Sequence, residues 1–113
     1  MIVEIKSEEE FNQLISKGNV VVEFGATWCG PCQMMLRVMK SIESSLDVNF
    51  VKVDVDEFGP LSSKYLVSNI PVFFAYMGGN SVSFKVNGKE EFNLLGAIQE
   101  ENFTQIIKDT FNL

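Results

Sequence analysis

The chain has 113 residues, 46% of them hydrophobic, enough to close one core without metal or disulfide staples. Nine Lys plus Arg against fifteen Asp plus Glu leave a formal charge of -6, which repels phosphate backbones and anionic lipid and argues against nucleic acid or membrane partners. Met1-Ile2-Val3-Glu4 opens without a basic stretch or an apolar signal run, and no apolar run reaches bilayer length, so a single cytoplasmic domain spanning 1–113 is expected.

Ile2 to Ile5 reads as a short strand. Ser7 and Glu10 have the spacing of a capping box, and Phe11, Leu14 and Ile15 follow at helical intervals until Gly18 offers a left-handed stop. These signals predict a first helix over 8–17. Val20-Val21-Val22-Glu23-Phe24 is nearly continuous in apolar residues, the pattern of a central strand covered on both faces. Pro31 suits a helix start, and Met34, Met35, Val38, Met39, Ile42 and Leu46 then mark one apolar helical face.

Val51, Val53 and Val55 alternate with Lys52 and Asp54 as in a strand, and Pro60 to Leu66 reads as a short helix ending near Asn69. A further strand begins at Pro71 and runs to Tyr76. Asn87-Gly88 is a strong hairpin dipeptide because both residues accept positive φ, and it joins a strand over 82–86 to one over 89–95. A competing parse starts the last helix near Lys89, since Phe92 and Leu95 also fit helical spacing. Phe103, Ile106, Ile107 and Phe111 mark a terminal amphipathic helix. The order of elements predicts an α/β fold, a mixed sheet between helices.

Only two cysteines occur, Cys29 and Cys32, bracketing the predicted helix start at Pro31. Residues three apart at such a point can bring their Cα atoms within the roughly 4.4 to 6.8 Å that a disulfide needs. Unpaired N–H groups and the positive end of the helix dipole stabilise a thiolate on Cys29. Cys32, one turn inside, is expected to be less exposed. Cys29 therefore reads as the attacking thiol and Cys32 as the one that resolves the mixed disulfide. Pro31 stiffens the turn between them and bears on the balance of oxidised and reduced forms.

A half zinc site is the first alternative, but the chain holds no histidine and no third cysteine. A purely structural staple is the second, and so short a loop removes little entropy from the unfolded chain. Glu23 lies within a run expected to be buried, where a carboxylate is costly and its pKa rises; such an acid near the thiols can shuttle protons. Lys52 on the neighbouring strand is its candidate partner. The competing expectation is that Glu23 bulges toward solvent.

In order along nearly the whole chain, Val22-Glu23-Phe24-Gly25-Ala26-Thr27-Trp28-Cys29-Gly30-Pro31-Cys32, Lys52-Val53-Asp54-Val55-Asp56, Ile70-Pro71 and Leu95-Gly96-Ala97 resemble the thioredoxin family with its Cys-Gly-Pro-Cys active site. The resemblance implies the thioredoxin fold, a central mixed sheet of about five strands flanked by four helices, and favours a strand over a helix for 89–95. It implies a cis bond before Pro71. It also implies substrate pairing through the main chain of Ile70, and a docking face bordered by Trp28, Gly30, Gly96 and Ala97. No bound cofactor or metal is expected. The implied partners are disulfide-containing proteins and a reductase, which uses flavin and NADPH to restore the Cys29–Cys32 dithiol. A monomer is expected.

Four positions depart from the family pattern. Glu23 stands where Asp is usual, Gly25 where an aromatic is common, and Val72 where Thr is frequent. Residues 77–88 make an enlarged hairpin region that extends the sheet, forms an edge loop or meets a partner. The leading expectation is a protein-disulfide reductase. The alternative is a redox-dependent binding module that docks partners through the same face without significant turnover.

Overall fold

The computed structural model describes residues 1–113. The chain runs β1 (Ile2–Glu4), α1 (Glu8–Leu14), β2 (Asn19–Gly25), α2 (Gly30–Ile42), β3 (Asn49–Asp54), α3 (Gly59–Lys64), β4 (Val72–Met77), β5 (Asn80–Val82), β6 (Phe84–Val86), β7 (Lys89–Glu91), β8 (Leu94–Leu95) and α4 (Glu100–Phe111). The near-continuous apolar run of β2 matches its central place, parallel to β3 on one side and antiparallel to β4 on the other. β1 adds outside β3, also parallel.

Successive side chains of a strand point to opposite faces, and the two faces of this sheet carry separate cores. On one, Val21, Phe50, Phe73 and Ala75 pack with Met35, Met39 and Ile42 of α2 and with Phe103, Ile107 and Phe111 of α4. On the other, Val20, Val22, Phe24, Val51, Val53 and Phe74 pack with Phe11 of α1 and Leu61 of α3. Four helices thus cover a mixed sheet, as expected. β2 ends at the edge of the first core, delivering Glu23 and Gly25 to the α2 side.

The edge beyond β4 is shared by two short strands. β5 pairs with Ala75–Met77 and β8 with Val72–Phe73, so the sheet has five positions but six strands. β4 turns into β5 through Gly78 and Gly79, both at positive φ, a turn outside the sequence-based expectation. Asn87 and Gly88 do form the expected hairpin turn, with φ of 52 and 80. The strands it joins are shorter than expected and form a separate ribbon, β6–β7. Val82–Val86 breaks at Ser83 and Lys89–Leu95 breaks at Phe92-Asn93. The ribbon is held to α4, where Phe84 is fully buried and Lys85 N–H donates to Thr110 Oγ1 at 3.0 Å. The last helix starts at Glu100, which removes the parse beginning near Lys89.

Three helices stop earlier than their apolar spacing suggests. α1 ends at Leu14 rather than 17, its last turn tightening as Ser16 N–H bonds Gln13 O. α2 ends at Ile42, because Ser45 turns its hydroxyl and its N–H back on Ile42 O; Leu46 reaches the core from the following turn. Met34 also leaves the apolar face of α2, being 40% exposed. α3 ends at Lys64 because Leu66 adopts a left-handed φ of 56.

Candidate functional site

Cys29 is the N-cap of α2 and keeps an extended backbone, φ -87 and ψ 112, while Gly30 and Pro31 form the first turn. Its Sγ accepts the Cys32 N–H at 3.2 Å. Pro31 sits second in the helix, where its missing N–H has no intrahelical role to lose. Cys29 N–H donates to Ala26 O at 3.3 Å and Gln33 Nε2 to Thr27 O at 3.1 Å, closing the loop that leads into the helix. The two cysteines form a disulfide with Cα atoms 5.2 Å apart.

The expected contrast in exposure between the cysteines is absent, since Cys29 is 5% and Cys32 3% exposed. Their surroundings differ instead. Cys32 lines a cleft of about 160 Å³ whose wall also includes Glu4, Glu23, Gly25, Lys52 and Asp54, and Cys29 does not.

Strand register explains the cleft's charges. Glu4 stands opposite Lys52 across β1–β3, and Glu23 stands opposite Lys52 across β2–β3, a row of alternating charge on the α2 side. Glu23 is 1% exposed, so it does not bulge toward solvent, and neither of its carboxylate oxygens has a hydrogen-bond partner. Burial pushes its pKa up to about 7; the positive charge of Lys52 offsets part of this and the negative charge of Glu4 adds to it. The expected pairing with Lys52 is through space only. The ion pairs within 4.0 Å are Met1 N with Glu43 and Lys64 with Glu8.

The outer side of the loop mixes apolar and polar groups. Trp28 is 70% exposed and its indole N–H donates to Asp56 Oδ2 at 2.7 Å. Asp54 Oδ1 in turn accepts the N–H groups of Asp56 and Glu57, fixing the turn that presents Asp56. The Ile70–Pro71 bond is cis. Gly96, at φ 86, donates its N–H to Pro71 O at 2.8 Å, and Ile98 N–H reaches Met35 Sδ at 3.2 Å, tying the 96–98 loop to the residue before β4 and to α2. Trp28, Val67, Ser68 and Ile70 line a shallow groove beside the disulfide. Asp56 lies inside the run that carries the resemblance but has no role legible there; only the fold brings it to Trp28.

The thioredoxin family model matches residues 2–109. The chain belongs to the thioredoxin family. It is 40% identical over 86 residues to thioredoxin-2 of Saccharomyces cerevisiae, covering 74% of this chain and 83% of the relative. It is 32% identical over 102 residues to thioredoxin of Chlamydia caviae, covering 89% and 100%. Among solved structures, a mutant thioredoxin from Halobacterium salinarum superimposes with a TM-score of 0.83 at 26% identity, over 99% of this chain and 92% of that one. Thioredoxin-family membership together with a closed Cys29–Cys32 bridge makes this a thiol–disulfide oxidoreductase site. No three His, Cys, Asp or Glu side chains gather as metal ligands, and no helix is long and apolar enough to cross a membrane.

Proposed function

We propose that the protein is a cytoplasmic, monomeric protein-disulfide reductase in which Cys29 attacks and Cys32 resolves. The observation that carries this is the place of Cys29 Sγ as the cap of α2, accepting a backbone N–H, where negative charge on sulfur is favoured.

In the dithiol form, the Cys29 thiolate attacks one sulfur of a client disulfide. The client S–S bond breaks, a mixed disulfide forms, and the first client sulfur leaves as a thiolate that takes up a proton. Cys32 then gives its proton to the Glu23 carboxylate and attacks Cys29 Sγ. The mixed disulfide breaks, the second client sulfur leaves and is protonated, and the Cys29–Cys32 bridge remains. Two electrons and two protons have passed to the client. Lys52, across the cleft, favours the charged form of Glu23 between turnovers.

Trp28, Gly30, Ile70, Pro71, Gly96 and Ala97 form the face on which the client is held, its extended segment pairing with the main chain of Ile70. A flavin- and NADPH-dependent reductase restores the dithiol. With NADPH, such a reductase and insulin as client, the parent protein turns over and Cys29→Ser does not; no turnover by the parent overturns the proposal.

A further inference from the structure

Five of the chain's glycines, Gly18, Gly78, Gly79, Gly88 and Gly96, stand at positive φ, where their backbone conformation accounts for them. Gly25 does not. It is the last residue of β2, in regular parallel register with Asp54, so its backbone is open to any residue and a glycine there weakens the strand. What distinguishes Gly25 is what its missing side chain would touch. A Cβ built there would lie 3.0 Å from Cys32 Sγ, 3.4 Å from Cys32 Cβ and 3.4 Å from Glu23 Oε1.

One point in space is therefore in contact distance of both the acid and the sulfur. The span from Glu23 Oε1 to Cys32 Sγ is no wider than the sum of those two contacts, a gap that one water at most would bridge. Glu23, buried and with both oxygens unpartnered, lines the same cleft as Cys32. We propose that Gly25 is a positioning residue, keeping open the space through which the Glu23 carboxylate receives the proton of Cys32. The long Glu side chain and the bare backbone two residues on are parts of one arrangement.

The proton leaves Cys32 as its sulfur attacks Cys29 Sγ, and the carboxylate becomes a neutral carboxyl. The other charged groups lining the cleft with Glu23 are Lys52 and Asp54 from β3 and Glu4 from β1, and the three heavy atoms nearest the Gly25 point all belong to Cys32 and Glu23. A side chain at 25 would fill that gap and desolvate the acid further.

The inference rests on the exchange reaction proposed above for its role in turnover, but it is tested without turnover. The carboxyl carbon of residue 23 is followed by NMR across neutral pH in the parent, Gly25→Ala, Glu23→Asp and the double variant. Gly25→Ala is expected to move the Glu23 titration upward by about one unit and to slow resolution of the Cys29 mixed disulfide about tenfold at neutral pH. In the Glu23→Asp background the carboxyl is withdrawn by one methylene, and the same alanine should move its titration little. Equal shifts in both backgrounds, or none with Glu23, would overturn the proposal. If Gly25→Ala does not fold, it is made in a Cys32→Ala background, where the sulfur its methyl would meet is absent: a Glu23 titration moved relative to Cys32→Ala alone supports the proposal and an unmoved one overturns it. A parent inert toward insulin would remove the reductase reading and leave this result standing.

Discussion

Glu23 and Lys52 are direct register partners on adjacent parallel strands, yet they make no ion pair: the carboxylate is fully buried and the lysine only half-buried. An ammonium drawn in to meet the acid would lose its own hydration, and the attraction rarely repays that loss. The acid is thereby left poised near neutrality, where it can both take and give a proton.

This poise costs stability at high pH. The Glu23 pKa rises from 4.5 to about 7 on folding, so between those values the folded chain binds more protons than the unfolded one. Stability should therefore be highest below the unfolded value and fall as pH rises through the folded one, by roughly 3 kcal/mol in all. Glu23→Gln should flatten this dependence and be the more stable protein above pH 7, while resolving mixed disulfides more slowly. Urea unfolding of the oxidised protein on either side of that window checks the first point; a parent curve as flat as the Gln variant's would contradict it.

Cys32→Ser should stop the reaction after the first attack and hold clients covalently on Cys29, while Cys29→Ser holds none. Non-reducing electrophoresis reads both. Clients captured by Cys29→Ser instead would reverse the assignment of the two thiols.

Most of the fold was legible because its strands and helices carry strong periodic signals, and the chemistry was legible because Cys29 and Cys32 bracket a helix start. The region after Tyr76 was not. Val82–Val86 and Lys89–Leu95 each look like one strand, but Ser83 and Phe92-Asn93 divide them between the sheet and a ribbon on α4, a choice made by the burial of Phe84 rather than by local pattern. The meaning of Gly25 was also hidden, because a missing side chain acquires a role only from what the fold sets around it.

Asp56 and Trp28 illustrate the same limit. Asp56→Ala frees the indole from its 2.7 Å tether without disturbing either core, so stability should change by no more than about 1 kcal/mol. The proposed docking face loses a fixed edge, and KM for a protein disulfide should rise while the rate with a small disulfide stays near that of the parent. Equal losses with both substrates would place the role of Asp56 in the chemistry instead.

Pro31 occupies the first turn of α2 with no N–H to offer, directly between the two cysteines. Pro31→His adds a backbone donor at the positive end of the helix and an imidazole that carries charge near neutral pH. Both favour a thiolate on Cys29, and a stabilised thiolate stabilises the dithiol relative to the disulfide. The reduction potential should therefore move upward by some tens of millivolts, where about 30 mV corresponds to 1.4 kcal/mol. The variant should become a weaker reductant and a better oxidant of client dithiols. Equilibration with a glutathione buffer measures this, and a potential unchanged from the parent would show that Pro31 shapes the turn without setting its redox balance.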